Sequence, residues 1–198
     1  MSITYTRQAY ITNSDPTDPN LLYAAALIYR AIGGPIAVKA NLLFFRAALK
    51  NHAPSAYEMY RLHANSDKKY AISWLNTAVT LGHAQATFQL ACLYQIGSDV
   101  PKDPQKATLL YEQAAKLGEI ASYVLLGKKY EAGDGVEQDF QKAAICYQKG
   151  HDNGFVLASQ ELAFLYEKGL GVEKNLGKSI DIMQQATNQL ISLNNTLK

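Results

Sequence analysis

Cysteine is scarce in this chain: Cys92 and Cys146 are the two present in 198 residues. They are too few and too far apart for a disulfide framework or a CxxC redox or metal site, and a reducing cytoplasm is the expected compartment. Histidine is equally thin. His52, His63, His83 and His151 form no HExxH and no paired spacing that favours zinc, so they read as lone surface residues, and neither a metal nor a cofactor is expected. Charge of one sign is missing too, with 19 basic against 17 acidic residues. Without a strong basic stripe, nucleic acid is not an expected partner. The longest apolar run, Leu21 to Tyr29, is far short of the roughly 20 residues that cross a bilayer, so no membrane insertion is expected. Met1 to Asp15 lacks the basic start and continuous apolar stretch of a signal peptide.

What the chain has in quantity is apolar residues, 48% of the total, and self-similarity. The segment that begins at Leu90 recurs at Leu126 and Leu162. Tyr94, Tyr130 and Tyr166 are spaced by 36 residues (130 − 94 and 166 − 130), as are Gly97, Gly133 and Gly169, then Val100, Val136 and Val172, then Lys106, Lys142 and Lys178. Two less regular copies lie upstream. One keeps Asp67, Ala71, Trp74, Ala78 and Gly82, and the other keeps Tyr29, Gly33, Ala40, Phe44 and Ala47. The expected organisation is an N-terminal tail, 1–18, a repeat array, 19–190, with units 19–53, 54–83, 84–119, 120–155 and 156–190, and the end of a capping helix, 191–198.

Each unit reads as two antiparallel helices. Leu90, Ala91 and Tyr94, and likewise Leu162, Ala163 and Tyr166, put an apolar stripe on one face of the first. A glycine three residues after the tyrosine stops it. Asp67, Asp103, Asp139 and Asn175 stand where an N-cap is needed, and Pro104 suits a first helical turn. The first unit has Ile36 at the capping position. Ala107, Leu110, Tyr111, Ala114 and Ala115 line the inward face of a second helix. The small residues Ala91, Gly127, Ala163 and Ala114, Gly150, Ala186 are expected where the two helices of a unit cross closely. One such pair cannot cover its own apolar face, so neighbours must stack. The fold class is all-α, a right-handed superhelical solenoid of about five antiparallel helix pairs.

The run L-G-x-x-Y-x-x-G-x-G-V-x-x-D-x-x-K-A, present almost in full from Leu126 to Ala143, resembles the Sel-one-like repeat, a relative of the tetratricopeptide repeat. The resemblance spans about five-sixths of the chain by the unit boundaries above. It implies a non-catalytic scaffold that brings proteins together. Bacterial members act in signalling, host interaction, envelope biology or the neutralising of a cognate toxin. One secreted branch pairs cysteines inside each repeat, and Cys92 and Cys146 do not follow that spacing.

By similarity with tetratricopeptide arrays, the first helix of each pair lines a concave surface. Positions off its packing stripe then face a partner: Tyr23, Leu27 and Arg30; Glu58 and Leu62; Phe88, Cys92 and Gln95; Lys128 and Glu131; Gln160, Phe164 and Glu167. Tyr23, Phe88 and Phe164 would be the anchors, since aromatics dominate interface energies. The repeat tyrosines Tyr94, Tyr130 and Tyr166 lie on the packing stripe and are expected in the core. Gly133-Asp134-Gly135 is a turn, because no strand precedes it and no GK[ST] follows. From Pro19 to Tyr57 there is no acid, while Arg30, Lys39, Arg46 and Lys50 are basic. An acidic partner would be steered there, although helix periodicity is expected to scatter the four over different faces.

Ser66-Asp67-Lys68-Lys69 is an SxxK string like that of penicillin-recognising serine hydrolases. It has no SDN or KTG companion, and Asp67 matches the repeat's N-cap. The expected function is therefore non-catalytic protein binding, as an adaptor or as an immunity protein against a toxin or secreted effector. A β-lactam-type hydrolase and a self-assembling structural module are the alternatives. A monomer is expected. Leu190, Ile191, Leu193 and Leu197 alternate with polar residues as a capping helix would, and a dimer through that helix is the alternative.

Overall fold

The computed structural model describes residues 17–196, with side chains through 192. The tail expected at 1–18 therefore falls almost wholly outside the described residues, as do Leu197 and the side chain of Leu193. Ten α-helices and no strand occur among the described residues: α1 Pro19–Ile32, α2 Val38–Ala48, α3 Ala53–His63, α4 Lys68–Thr80, α5 Ala84–Ile96, α6 Pro104–Lys116, α7 Ala121–Ala132, α8 Phe140–Asp152, α9 Val156–Lys168 and α10 Leu176–Thr196. They alternate as first and second helices of five pairs, a helical-repeat solenoid. Packing divides the chain into two compact units, one ending at Ala86 and one beginning at Thr87.

Local chemistry explains where the helices begin. The carboxylates of Asp67, Asp103 and Asp139 and the amide oxygen of Asn175 accept from the backbone N–H three residues on, which satisfies donors that the first turn leaves free. The carbonyls of Tyr94, Tyr130 and Tyr166 accept from the N–H of Asp103, Asp139 and Asn175 at 2.8–2.9 Å. That bond fixes the nine-residue interval from repeat tyrosine to cap. α2 has no side-chain cap and is entered through a 3₁₀ turn, Gly34–Ala37, as Ile36 at the capping position requires.

The first unit builds its core from Leu22, Ala26, Phe44, Ala47, Ala56, Met59, Ala71 and Leu75, all buried. In the second, Tyr111 and Tyr147 are the largest fully buried side chains, and Ala107, Leu110, Ala114 and Ala115 are buried beside them. The small residues have distinct jobs. A Cβ at Gly127 would overlap the ring of Tyr147, so this glycine lets α7 and α8 cross within a pair. Gly150 instead meets Ala158 of α9, which belongs to the next pair, so its close approach is between pairs and not within one.

Three core expectations are corrected. Tyr94, Tyr130 and Tyr166 are half-buried and stand at the edge of the core: Tyr130 and Tyr166 pack against it, and the repeat lysine twelve residues on lies over each ring. Lys106 donates to Tyr94 Oη at 2.7 Å and Lys178 to Tyr166 Oη at 2.6 Å, while Tyr130 donates to Glu112 at 3.1 Å. Burial, aided by that bond, pushes the Tyr130 phenol up to about 12. The histidines are not a surface set. His52 and His83 stand before α3 and α5 and accept backbone N–H bonds at Nδ1 from Ser55 and Ala86, and His151 is buried with Nδ1 2.8 Å from Ser159 Oγ. Finally, α10 turns Ile182 and Ala186 inward but leaves Leu190 and Ile191 exposed, so those two do not shield the preceding pair.

Candidate functional site: the first-helix faces

The partner-facing positions separate once their surroundings are seen. In the first unit, Tyr23 is half-buried, its ring centroid 5.7 Å from Phe44 and 4.9 Å from His52. It is a packing residue, not a free anchor. Leu27 is half-buried beside it in sequence. Glu58 contradicts its expected exposure. It is buried, with one carboxylate oxygen 2.7 Å from Arg30 and the other 3.1 Å from Arg61. A carboxylate leaves water at that cost only where cations meet it, and here two do. Arg30 also lies 5.3 Å from the Phe44 ring centroid, which leaves its exposed side chain oriented and already paired. Leu62 is exposed at the end of the same face.

In the second unit Phe88 is half-buried with its ring 5.7 Å from Tyr111, so it fills space inside its own pair and is not an exposed anchor. Cys92 accepts from Tyr111 Oη at 3.3 Å, and burial raises its thiol above the ordinary range. Glu131 likewise accepts from Tyr147 Oη at 2.9 Å. Each of these second-helix tyrosines reaches through the pair to a first-helix polar atom, which uses that atom internally. Glu167 stays near the surface beside Lys168, its carboxyl held below the usual range by that ammonium.

Three expected contact residues are exposed together on α7 and α9, Lys128 among them although ion-paired. Lys128 is exposed and reaches Glu161 of α9 at 3.1 Å, and Gln160 is exposed one residue before it. One turn further along α9, Phe164 keeps 42% of its surface exposed, with Lys168 Nζ 5.7 Å from the ring centroid. Cys92, Lys128 and Phe164 occupy one repeat position, 36 residues apart. The third is the exposed aromatic of the series.

A cluster that the sequence reading passed over lies at the loop end of this face. Lys129 is only 5% exposed, yet its position is that of the buried Leu93 and Leu165, 36 residues either side. Its ammonium donates to Gln95 Oε1 at 2.5 Å and to Asp134 Oδ2 at 3.2 Å, and Gln95 Nε2 donates to the same Asp134 oxygen at 2.6 Å. The Gln95 bond, with help from Lys129, holds the Asp134 carboxyl below its usual range. Gln95 is thereby an internal tie between pairs. The signal available in sequence was the lysine interrupting a leucine series.

The hydrolase string has a structural use. Asp67 caps α4 through Tyr70 N–H, and Ser66 Oγ donates to the carbonyl of His63 at 3.4 Å. No group of three or more His, Cys, Asp or Glu among the described residues could hold a metal ion. No described helix is long and apolar enough to cross a membrane.

Among solved structures, a protective antigen of uropathogenic Escherichia coli with an SLR fold is similar at 26% identity and TM-score 0.79 over 86% of this chain. The chain spans 38% of that antigen's length. A Sel1 repeat protein from Oxalobacter formigenes is similar at 22% identity and TM-score 0.84, over 92% of this chain and 78% of that one. An immunity protein from Pseudomonas aeruginosa is similar in fold at 20% identity and TM-score 0.54, over 92% of this chain and 68% of that one. No curated protein sequence matches the chain. Residues 56–83, 84–119, 120–155 and 156–189 each match the Sel1 repeat, a protein-interaction scaffold, with the pairs α3–α4 to α9–α10 as the matched units. The chain belongs to the Sel1 repeat family.

Proposed function

We propose that this protein binds another protein through the first-helix face of α7 and α9, with Phe164 as the anchor and Lys128, Gln160 and Glu161 as orienting contacts. The observation that carries this is the exposure of Phe164. Its repeat partners at Cys92 and Lys128 are tied to Tyr111 and Glu161, whereas an exposed aromatic ring amid paired charges has the make-up of an interface hot spot. The narrower form of the reading is a toxin-neutralising immunity protein, supported by the fold shared with an immunity protein from P. aeruginosa.

Affinity capture from the native organism, followed by mass spectrometry, identifies the partner. A single protein recovered in stoichiometric amount is expected, and Phe164→Ala should weaken it by at least about 2 kcal/mol, the usual threshold for a hot spot. Equal recovery by wild type and variant contradicts the reading. Phe88→Ala is not an equivalent probe, because that ring packs on Tyr111 and its loss changes stability.

A further inference from the structure

We infer that the solvent face of α2, in the first repeat, is a second docking surface, and that its partner is an amphipathic helix carrying a row of carboxylates along one flank of its apolar stripe. α2 buries Ala40, Phe44, Ala47 and Ala48. On the opposite side Val38, Leu42 and Leu49 are 71%, 60% and 62% exposed. Leu49, the residue after the helix, keeps helical backbone angles (φ −62°, ψ −17°), so the helical register extends to it. At about 100° per residue these three aliphatic side chains fall within an arc of about 40°, and Lys39, Arg46 and Lys50 fall within an adjoining arc of about 40°. The cations are therefore gathered along one edge, contrary to the scattering expected from sequence. Only Arg30, on α1, is separate, and Glu58 engages it. None of the ion pairs among the described residues involves Lys39, Arg46 or Lys50.

Repeats two to four do not have this surface. With the buried Ala40, Ala71, Ala107 and Ala143 in register, the places of Val38, Leu42 and Leu49 are taken by Lys69, Ser73 and Thr80 in the second repeat, and by Gln105, Leu109 and Lys116 in the third. In the fourth they are Gln141, Ile145 and Asp152. The repeat fold thus does not require an apolar triad here. Three exposed aliphatics at i, i+4 and i+11 are the spacing at which one helix receives another along about 16 Å of its length. Cations on one edge only, with neutral Asn41 on the other, complement a partner whose acids lie on one flank. A bilayer surface has no such sidedness and would reward cations on both edges equally.

Fluorescence anisotropy with two labelled synthetic helical peptides tests this. One has Leu at i, i+4 and i+11 with Glu along one flank, and the other has Lys in place of Glu. The Glu peptide should bind the full chain saturably and at least about tenfold more tightly than the Lys peptide, and Arg46→Glu with Lys50→Glu should weaken it at least about tenfold. Leu42→Ser should do the same, with the thermal melt of the charge variant unchanged. Phe164→Ala should leave this binding intact, which separates failure here from failure of the first-helix reading. Equal binding of the two peptides, or no saturable binding, overturns the inference. So does co-sedimentation with phosphatidylserine-containing vesicles that the charge variant abolishes while peptide binding is absent, which would assign the face to lipid. Self-association lost in the same variant, again without peptide binding, would assign it to a second copy of the chain.

Discussion

At the residue scale, Lys129 shows how a repeat position can be reassigned from packing to charge. A leucine stands at the same position one repeat before and one repeat after, and both are buried. Burying an ammonium is unfavourable unless its donors are satisfied, and Gln95 with Asp134 satisfies two of them. Removing one partner and removing the charge should therefore have opposite consequences. Asp134→Ala should cost about 1–3 kcal/mol, toward the low end because the carboxylate is partly open to solvent. Lys129→Leu, which restores the repeat residue, should leave the urea midpoint equal to or above that of wild type. A larger loss for Lys129→Leu than for Asp134→Ala would show that the lysine contributes through its stem and not through this network.

Among the helices, the pairs are held by a few buried side chains and by caps, and both can be tested. Leu126 lies in the stripe that α7 buries, so Leu126→Ala should cost about 2–5 kcal/mol, seen as a lower denaturation midpoint. Two helices, α3 and α5, follow a histidine whose unprotonated Nδ1 is the acceptor. Burial holds His52 and His83 below the ordinary histidine value, with Asp18 opposing the shift at His52 and Glu58 opposing it at His83. A base depressed in the folded state binds fewer protons there than in the unfolded chain. Its stabilisation is complete above the unfolded value near 6.5 and is lost as pH falls through the folded value. Urea midpoints should therefore drop between about pH 7 and pH 5, and the double variant His52→Asn, His83→Asn should flatten that slope, since asparagine caps without titrating. A slope unchanged in the double variant would place the pH sensitivity elsewhere.

Across the whole molecule, the parts legible in sequence are those fixed by local chemistry. The capping residues, the stopping glycines and the inward alanines each act within a turn or within one pair, and the 36-residue period displays them repeatedly. The site was less legible because exposure depends on neighbours in another helix. Phe88 and Phe164 are both first-helix aromatics, but Tyr111 faces one while Met183, at the place of Tyr111 two repeats on, is itself partly exposed. Glu58 looks like a surface acid until Arg30 and Arg61 close on it. Sequence alone disperses the cations of the first repeat because Arg30 belongs to a different helix from Lys39, Arg46 and Lys50. Light scattering should give a monomer. A protein partner held on the first helices of the second unit should be visible by hydrogen–deuterium exchange on the chain with and without its captured partner. Protection is predicted in the amides of α7 and α9, around Lys128 and Phe164, with α8 and α10 unchanged. Protection confined to the second helices, with α7 and α9 exchanging as in the free chain, would contradict it.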